Sequence, residues 1–223
     1  EALARWRDPD GGLLGPGAFI PVAEENGLID DLTEAVMAQA FECGANWAVD
    51  GLLIKVAVNV SMESLKRLDY PEWVVGMAGA AGMDPTQVIL EVTESRLMED
   101  VAATLEILSR LRLKGIGLAI DDYGTGFSTM QQLKRIPFTE LKVDGSFVTG
   151  APSDGEARAM LESSVGLAKA LDLTLVAEGV EEKAEWDLVA AVGGDVIQGY
   201  FVAKPMPGDQ IPAWNEKWSQ EWS

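Results

Sequence analysis

Carboxylates and amides recur at the ends of apolar runs in this sequence, and they are the side chains best placed to do chemistry. VAVNVS carries Asn59, VILEVTES carries Glu91 and Glu94, and GLAIDD ends in Asp121 and Asp122. ELKVD contributes Lys142 and Asp144, LVAEGVE contributes Glu178 and Glu181, and DVIQG contributes Gln198. An ionised group in an apolar run is costly to bury unless it is paired or bound to a metal. Parallel α/β folds build their sites at the carboxyl ends of strands, so these runs can deliver oxygen ligands to one rim. Mg2+ and Mn2+ suit such donors. The chain has no histidine, which removes the Ser-His-Asp triad, the imidazole base and histidine-ligated zinc.

Neighbouring residues of a strand point to opposite faces, but at a strand-to-loop bend Asp121 and Asp122 can both turn toward the rim. Two carboxylates so close repel one another unless cations neutralise them. A carboxylate bridging two ions is the usual arrangement in two-metal phosphodiester hydrolysis. Taken alone, the pair also reads as a helix N-cap, because Tyr123-Gly124-Thr125-Gly126 leads into a helix. The other strand ends favour the metal. Lys142 has three readings: an edge lysine, a partner for Asp144, or a group that orients water and stabilises developing negative charge. Gly124-Thr125-Gly126 resembles a phosphate-cradling turn but matches neither the Rossmann nor the P-loop spacing.

These residues need a scaffold that brings distant strand ends together. Short apolar runs alternate with helical patterns, the signature of α/β architecture with parallel strands. Strands are expected over Leu53–Val60, Val88–Thr93, Gly117–Asp122, Glu140–Asp144, Leu173–Glu178 and Val196–Phe201. Helical stripes run through Leu105, Leu108 and Leu111, through Ala159, Leu161, Val165, Ala168 and Leu171, and through Leu188, Val189 and Val192. Gly115, Gly150 and Gly193 read as helix stops or turns. The stretch from Arg5 to Pro21 reads as a loop entering a helix near Phe19–Glu25. With no linker or repeat, residues 1–223 read as a single domain. An eight-stranded barrel needs two strands more, expected before or at residue 1, with Glu1 at a strand end. An open doubly wound sheet is the alternative.

Apolar and charged fractions of 48% and 24% are ordinary for a globular protein and exclude disordered and collagen-like classes. A net charge of −19 repels polyanions and argues against binding a nucleic acid polymer. A phosphate-bearing substrate would need the local field inverted, which divalent cations do. No apolar run approaches the roughly 20 residues that cross a bilayer, so no membrane contact is expected of this domain. No signal peptide opens the chain, whose abrupt start reads as that of a fragment. Cys43 is the single cysteine; it reads as a small buried hydrophobe, and the lack of any internal disulfide fits a cytoplasmic location. Trp214, Trp218 and Trp222 form one face of a C-terminal helix expected to pack on the barrel, and Trp47, Trp73 and Trp186 read as helix packing. Glu24-Glu25 and Asp30-Asp31 read as solvated helix-terminal charges, with Asp31 as an N-cap.

EALARW from Glu1, FIPVAEENGLI from Phe19, VNVS from Val58, LEVTES from Leu90, DDYGTGFST from Asp121, KVD from Lys142, AEGVE from Ala177 and QGYFVAKP from Gln198 together resemble the EAL domain. The likeness spans nearly the whole chain, in the family's order and spacing. It implies a modified TIM-like (β/α)8 barrel whose first strand is missing here, and a bacterial phosphodiesterase that hydrolyses cyclic di-GMP to linear pGpG with two Mg2+ or Mn2+ ions. By this resemblance Glu1, Asn59, Glu91 and Asp121 bind one metal. Asp121 bridges to a second ion, held also by Asp122 and Glu178. Lys142 holds the attacking water, and Glu178 stays open between metal ligand and general base. Leu3, Arg5, Asp144, Glu181, Gln198 and Pro205 fall at substrate-side positions, and Glu94 matches the glutamate that braces the loop Tyr123–Ser128, which couples dimerisation to metal binding. Tyr123 and Phe127 exchange the loop's usual Phe and Tyr, and Glu182 replaces a common Thr or Asn. A homodimer and an upstream sensor, receiver or GGDEF module are implied partners. Two alternatives remain: a catalytically silent c-di-GMP receptor, which usually lacks the metal ligands kept here, and an enolase-type barrel lyase with Lys142 as base.

Overall fold

The computed structural model describes residues 1–94, 101–126 and 130–222. They fall into two compact units, Glu1–Leu90 with Leu113–Ile116 and Pro205–Ser223, and Glu91–Arg112 with Gly117–Lys204.

The first unit opens with Ala2 donating its N–H to the Ala57 carbonyl at 2.8 Å, which lays the start of the chain along a strand. Residues read as a loop contain a short antiparallel ladder, β1 (Trp6–Arg7) on β2 (Leu13–Leu14). Helix α1 (Ile20–Glu25) follows, then the long α2 (Ile29–Val49). Asp31 is not its N-cap: Leu28 holds that position, and Asp30 and Asp31 lie in the first turn, where negative charge complements the helix dipole. Asp30 is not merely solvated, since it accepts a hydrogen bond from the Ser64 hydroxyl.

Strand β3 (Val56–Asn59) is shorter than Leu53–Val60, because Leu53 is exposed and the Gln87 amide caps the Ile54 carbonyl at 3.3 Å. Helix α3 (Tyr70–Ala81) ends on Gly82 in the left-handed conformation, and β4 (Val88–Thr93) begins as expected. Cys43 is half-buried beside Gly208. Burial, then Glu42 and Asp209, push its thiol pKa up. Trp47 donates to the Gly208 carbonyl at 3.0 Å and Trp73 stacks on Tyr70, so both serve packing.

In the second unit the end of β4 is followed in sheet order by β5 (Gly117–Tyr123), β6 (Glu140–Val143), β7 (Thr174–Ala177) and β8 (Val196–Ile197). The pairings of β5 through β8 are parallel. Strands β4, β6 and β7 are buried on nearly every residue and β5 over Leu118–Asp121, as strands are when both faces of a parallel sheet are covered. That explains why they read as continuous apolar runs. Covering helices are α4 (Val101–Leu113), α5 (Met130–Arg135), α6 (Gly155–Leu171) and α7 (Lys183–Val192). Of the stripe expected on α6, Leu161, Val165 and Ala168 are buried, but Ala159 is exposed and Ala157 is buried instead.

The C-terminal helix α8 (Ile211–Trp222), in the first unit, buries no residue fully. Its tryptophans stack on one another, Trp214 on Trp218 at 5.8 Å and Trp218 on Trp222 at 5.2 Å. Trp222 is exposed, against the expectation of a stripe packed on a barrel. Among the described residues no helix is long and apolar enough to cross a membrane.

A carboxylate and lysine cluster as candidate metal centre

Strand register explains how the site forms. Ile120 pairs with Leu141 and Tyr123 with Val143, so β5 takes three steps where β6 takes two. The extra residue is a β-bulge, and Asp121 and Asp122 share it opposite Lys142. Bulges re-aim side chains, and this one overrides the alternation that would send the two aspartates to opposite faces. Asp122 has φ of +56°, a left-handed conformation that aspartate tolerates better than most residues. One carboxylate oxygen from each of Asp121, Asp122 and Glu178 lies within 4.8 Å of the others.

Lys142 occupies the centre. On β7 its register partner is Val176, so Glu178, two residues on, lies on the same side as the lysine. The Lys142 ammonium is 2.8 Å from Glu91, 2.9 Å from Asp121 and 2.8 Å from Glu178. Its side chain is only 3% exposed and that of Glu91 2%. An edge lysine is thereby ruled out. Asp144 is not its partner but accepts from the Ser146 amide at 3.0 Å and caps the 3-10 turn Gly145–Phe147.

The glutamate of the β7 loop is held by close backbone contacts. Glu178 donates its N–H to the Val143 carbonyl at 3.1 Å. An ideal Cβ on Gly179 would lie 2.9 Å from the Gly145 Cα, so both loops need glycine where they touch. On the other side Val180 donates to Gln198 at 3.0 Å and Phe201 donates to Val180 at 3.0 Å. Strand β8 stops at Ile197, well short of Phe201, because the chain turns here to pack on Val180. A Cβ on Gly199 would meet the Val180 carbonyl oxygen at 2.1 Å. Gly199→Ala is therefore expected to cost at least about 2 kcal/mol, because backbone cannot yield as a side chain can; urea denaturation would measure it.

Glu94 is 2% exposed and accepts from the amides of Gly124 and Gly126 at 2.9 and 3.2 Å. Burial, then Glu94, raise the Tyr123 phenol pKa. Phe127 and Ser128, at the end of that loop, lie outside the described residues. In the first unit the Asn59 amide donates to Glu1 at 2.8 Å. Gln198 lies in the β8 turn, Glu181 is exposed in the β7 loop, and Leu3, Arg5 and Pro205 are exposed in the first unit.

Taken with Lys142, the four carboxylates Glu91, Asp121, Asp122 and Glu178 carry a formal charge of −3 in a largely buried cluster. Such an excess is costly in a low-dielectric site unless a cation joins it. The donors are all oxygen, as hard divalent ions prefer. The cluster fits a metal.

Parallel strands in chain order, carrying near their carboxyl ends an acidic cluster that could hold a metal around a buried lysine, define an α/β protein with a candidate metal centre. The chain belongs to the EAL domain family, which it matches over residues 1–205. It is 39% identical over 215 residues to the oxygen sensor protein DosP of Escherichia coli, covering 96% of this chain and 27% of the relative. It is 38% identical over 214 residues to the bifunctional diguanylate cyclase/cyclic di-GMP phosphodiesterase MucR of Pseudomonas aeruginosa, covering 96% of this chain and 31% of that protein. A solved structure described as PaMucR phosphodiesterase in complex with c-di-GMP superposes with a TM-score of 0.88 at 37% identity, covering 94% of this chain and 85% of the other. The fold class is the family's, a modified TIM-like (β/α)8 barrel. The chain thus spans about a third or less of the length of these curated relatives.

Proposed function

We propose that this chain hydrolyses one phosphodiester of c-di-GMP to give linear pGpG, with two Mg2+ or Mn2+ ions. The observation that carries this reading is the buried cluster in which Lys142 meets Glu91, Asp121 and Glu178 while Asp122 joins from the bulge. Membership of the EAL family and the activity named for MucR support the substrate.

In this reading Asp121, Asp122 and Glu178 would hold one ion, and Glu1, Asn59, Glu91 and Asp121 would be the ligands of the other. Bound ions lower the pKa of water and offset charge on the attacking and leaving oxygens. Lys142, paired with three carboxylates, would donate to the water and hold it in line with the departing 3′-oxygen. Glu178 bonds that lysine and steadies its aim; it is also a candidate acceptor for the water's proton. Asp144 keeps the turn after β6 short, and Glu94 fixes the amides of Gly124 and Gly126 beside Asp122. Leu3, Arg5, Glu181, Gln198 and Pro205 are proposed to line the substrate. Residues 1–223 act as one domain in the cytoplasm, pairing as a homodimer and answering an upstream module.

Chromatography of c-di-GMP incubated with the protein tests this directly. Conversion to pGpG in Mn2+ or Mg2+ is expected, with loss of activity in EDTA and recovery on adding excess metal. Tight c-di-GMP binding without any product in either metal would refute hydrolysis and leave a receptor.

A further inference from the structure

We propose that Glu185 is a positioning residue that locks the loop of Glu178 to the loop behind Lys142. The inference rests on the hydrolase reading of that cluster. Glu185 stands in the first turn of α7 and is 5% exposed. One of its oxygens accepts the N–H groups of Glu181 and Glu182 at 2.7 and 3.0 Å. The other accepts that of Gly150 at 3.1 Å. Gly150 lies on the segment that leaves β6 after Lys142, and Glu181 and Glu182 on the one that leaves β7 after Glu178. One buried carboxylate therefore ties together the backbones of the loop that follows the Lys142 strand and the loop that carries Glu178, the two partners of a 2.8 Å pair.

Helix capping explains only part of this. In a capping box the third helical residue reaches back to the N-cap amide, here that of Glu182. The bonds to Glu181 and Gly150 go further, and the Gly150 bond gives nothing to the helix. With the Gly145–Gly179 contact as a pivot, losing the link to Gly150 frees the two loops to part. Glu178 then drifts from Lys142, Asp121 and Asp122.

The test is Mn2+ binding by calorimetry together with amide hydrogen exchange, at a temperature well below every variant's melting point. Glu185→Ala is expected to weaken Mn2+ binding about tenfold or more, as loss of an outer support does, and to speed exchange at Gly150 as well as at Glu181 and Glu182. Glu185→Gln keeps one acceptor oxygen for its own loop but turns an N–H donor toward the Gly150 amide, so it too is expected to weaken Mn2+ binding and to speed exchange at Gly150 while Glu181 and Glu182 stay protected. Lys183→Ala, which removes only an exposed pair with Asp187, leaves Mn2+ binding unchanged. If Glu185→Ala does not fold, Glu185→Asp carries the test: one methylene shorter, it cannot span both loops, and weaker Mn2+ binding is expected. Parent-like Mn2+ affinity in the folded Ala variant, or in the Asp variant, would overturn the proposal even if melting fell. A parent that binds Mn2+ but leaves c-di-GMP intact overturns the hydrolase reading alone, because the calorimetric comparison still decides the role of Glu185. A parent that binds no Mn2+ overturns both.

Discussion

Asp121→Ala is expected to lower c-di-GMP turnover by roughly a thousandfold or more while leaving the metal-free fold as stable as before, within about 1 kcal/mol. The two halves of this expectation have separate causes. Asp121 supplies an oxygen to the cluster with Asp122 and Glu178, so its loss removes the member shared by both proposed ions. Without metal the same change relieves repulsion, since the formal charge among the five groups falls from −3 to −2. Lys142 still has Glu91 and Glu178, so no buried charge is stranded. Initial rates in saturating Mn2+ and urea denaturation in EDTA check the two parts.

Lys142→Met should also abolish turnover, but with the opposite effect on stability. Methionine matches the length of the lysine stem and removes only the ammonium. Glu91 and Asp121, 2% and 9% exposed, then lose a partner, and the formal charge goes to −4. Removing one partner of a buried ion pair costs about 3–5 kcal/mol. A metal restores the missing positive charge, so Mn2+ should raise the melting temperature of Lys142→Met more than that of the parent, by mass action on the folded state. Both variants lose the chemistry, but only the lysine variant becomes metal-dependent for folding. Equal metal-free stability of the two would show that Lys142 is not the counter-charge of the cluster.

Asp121, Asp122 and Glu178, which could hold a metal ion, stand out in the sequence because carboxylates in apolar strands are anomalous wherever they occur. Val88–Thr93 is legible to the residue, since a strand buried on both faces is a largely apolar run, broken here by Glu91. Other features leave no such trace. The ladder of Trp6–Arg7 on Leu13–Leu14 is two residues a side, too short for alternation to register. Strand β8 reads as running to Phe201 because its sequence stays apolar, but Gly199 turns the chain against Val180. That Asp121 and Asp122 share a rim follows from their adjacency; the means, a bulge with a left-handed Asp122, depends on pairing with β6. Glu185 escapes a reading of strand ends, although a glutamate three residues after Glu182 at a helix start is a readable cue. The Trp214–Trp222 stripe gives the right helix, half-buried at Trp214 and Trp218, but not its exposed end at Trp222, because amphipathic spacing reports a face and not what covers it.

Anomalous diffraction from a crystal grown with Mn2+ would locate the ion itself. A peak is expected at coordination distance from Asp121, Asp122 and Glu178, with the Lys142 ammonium displaced from at least one of its carboxylates. A map with no such peak at saturating Mn2+, and Lys142 still bonded to all three, would contradict the proposed metal centre.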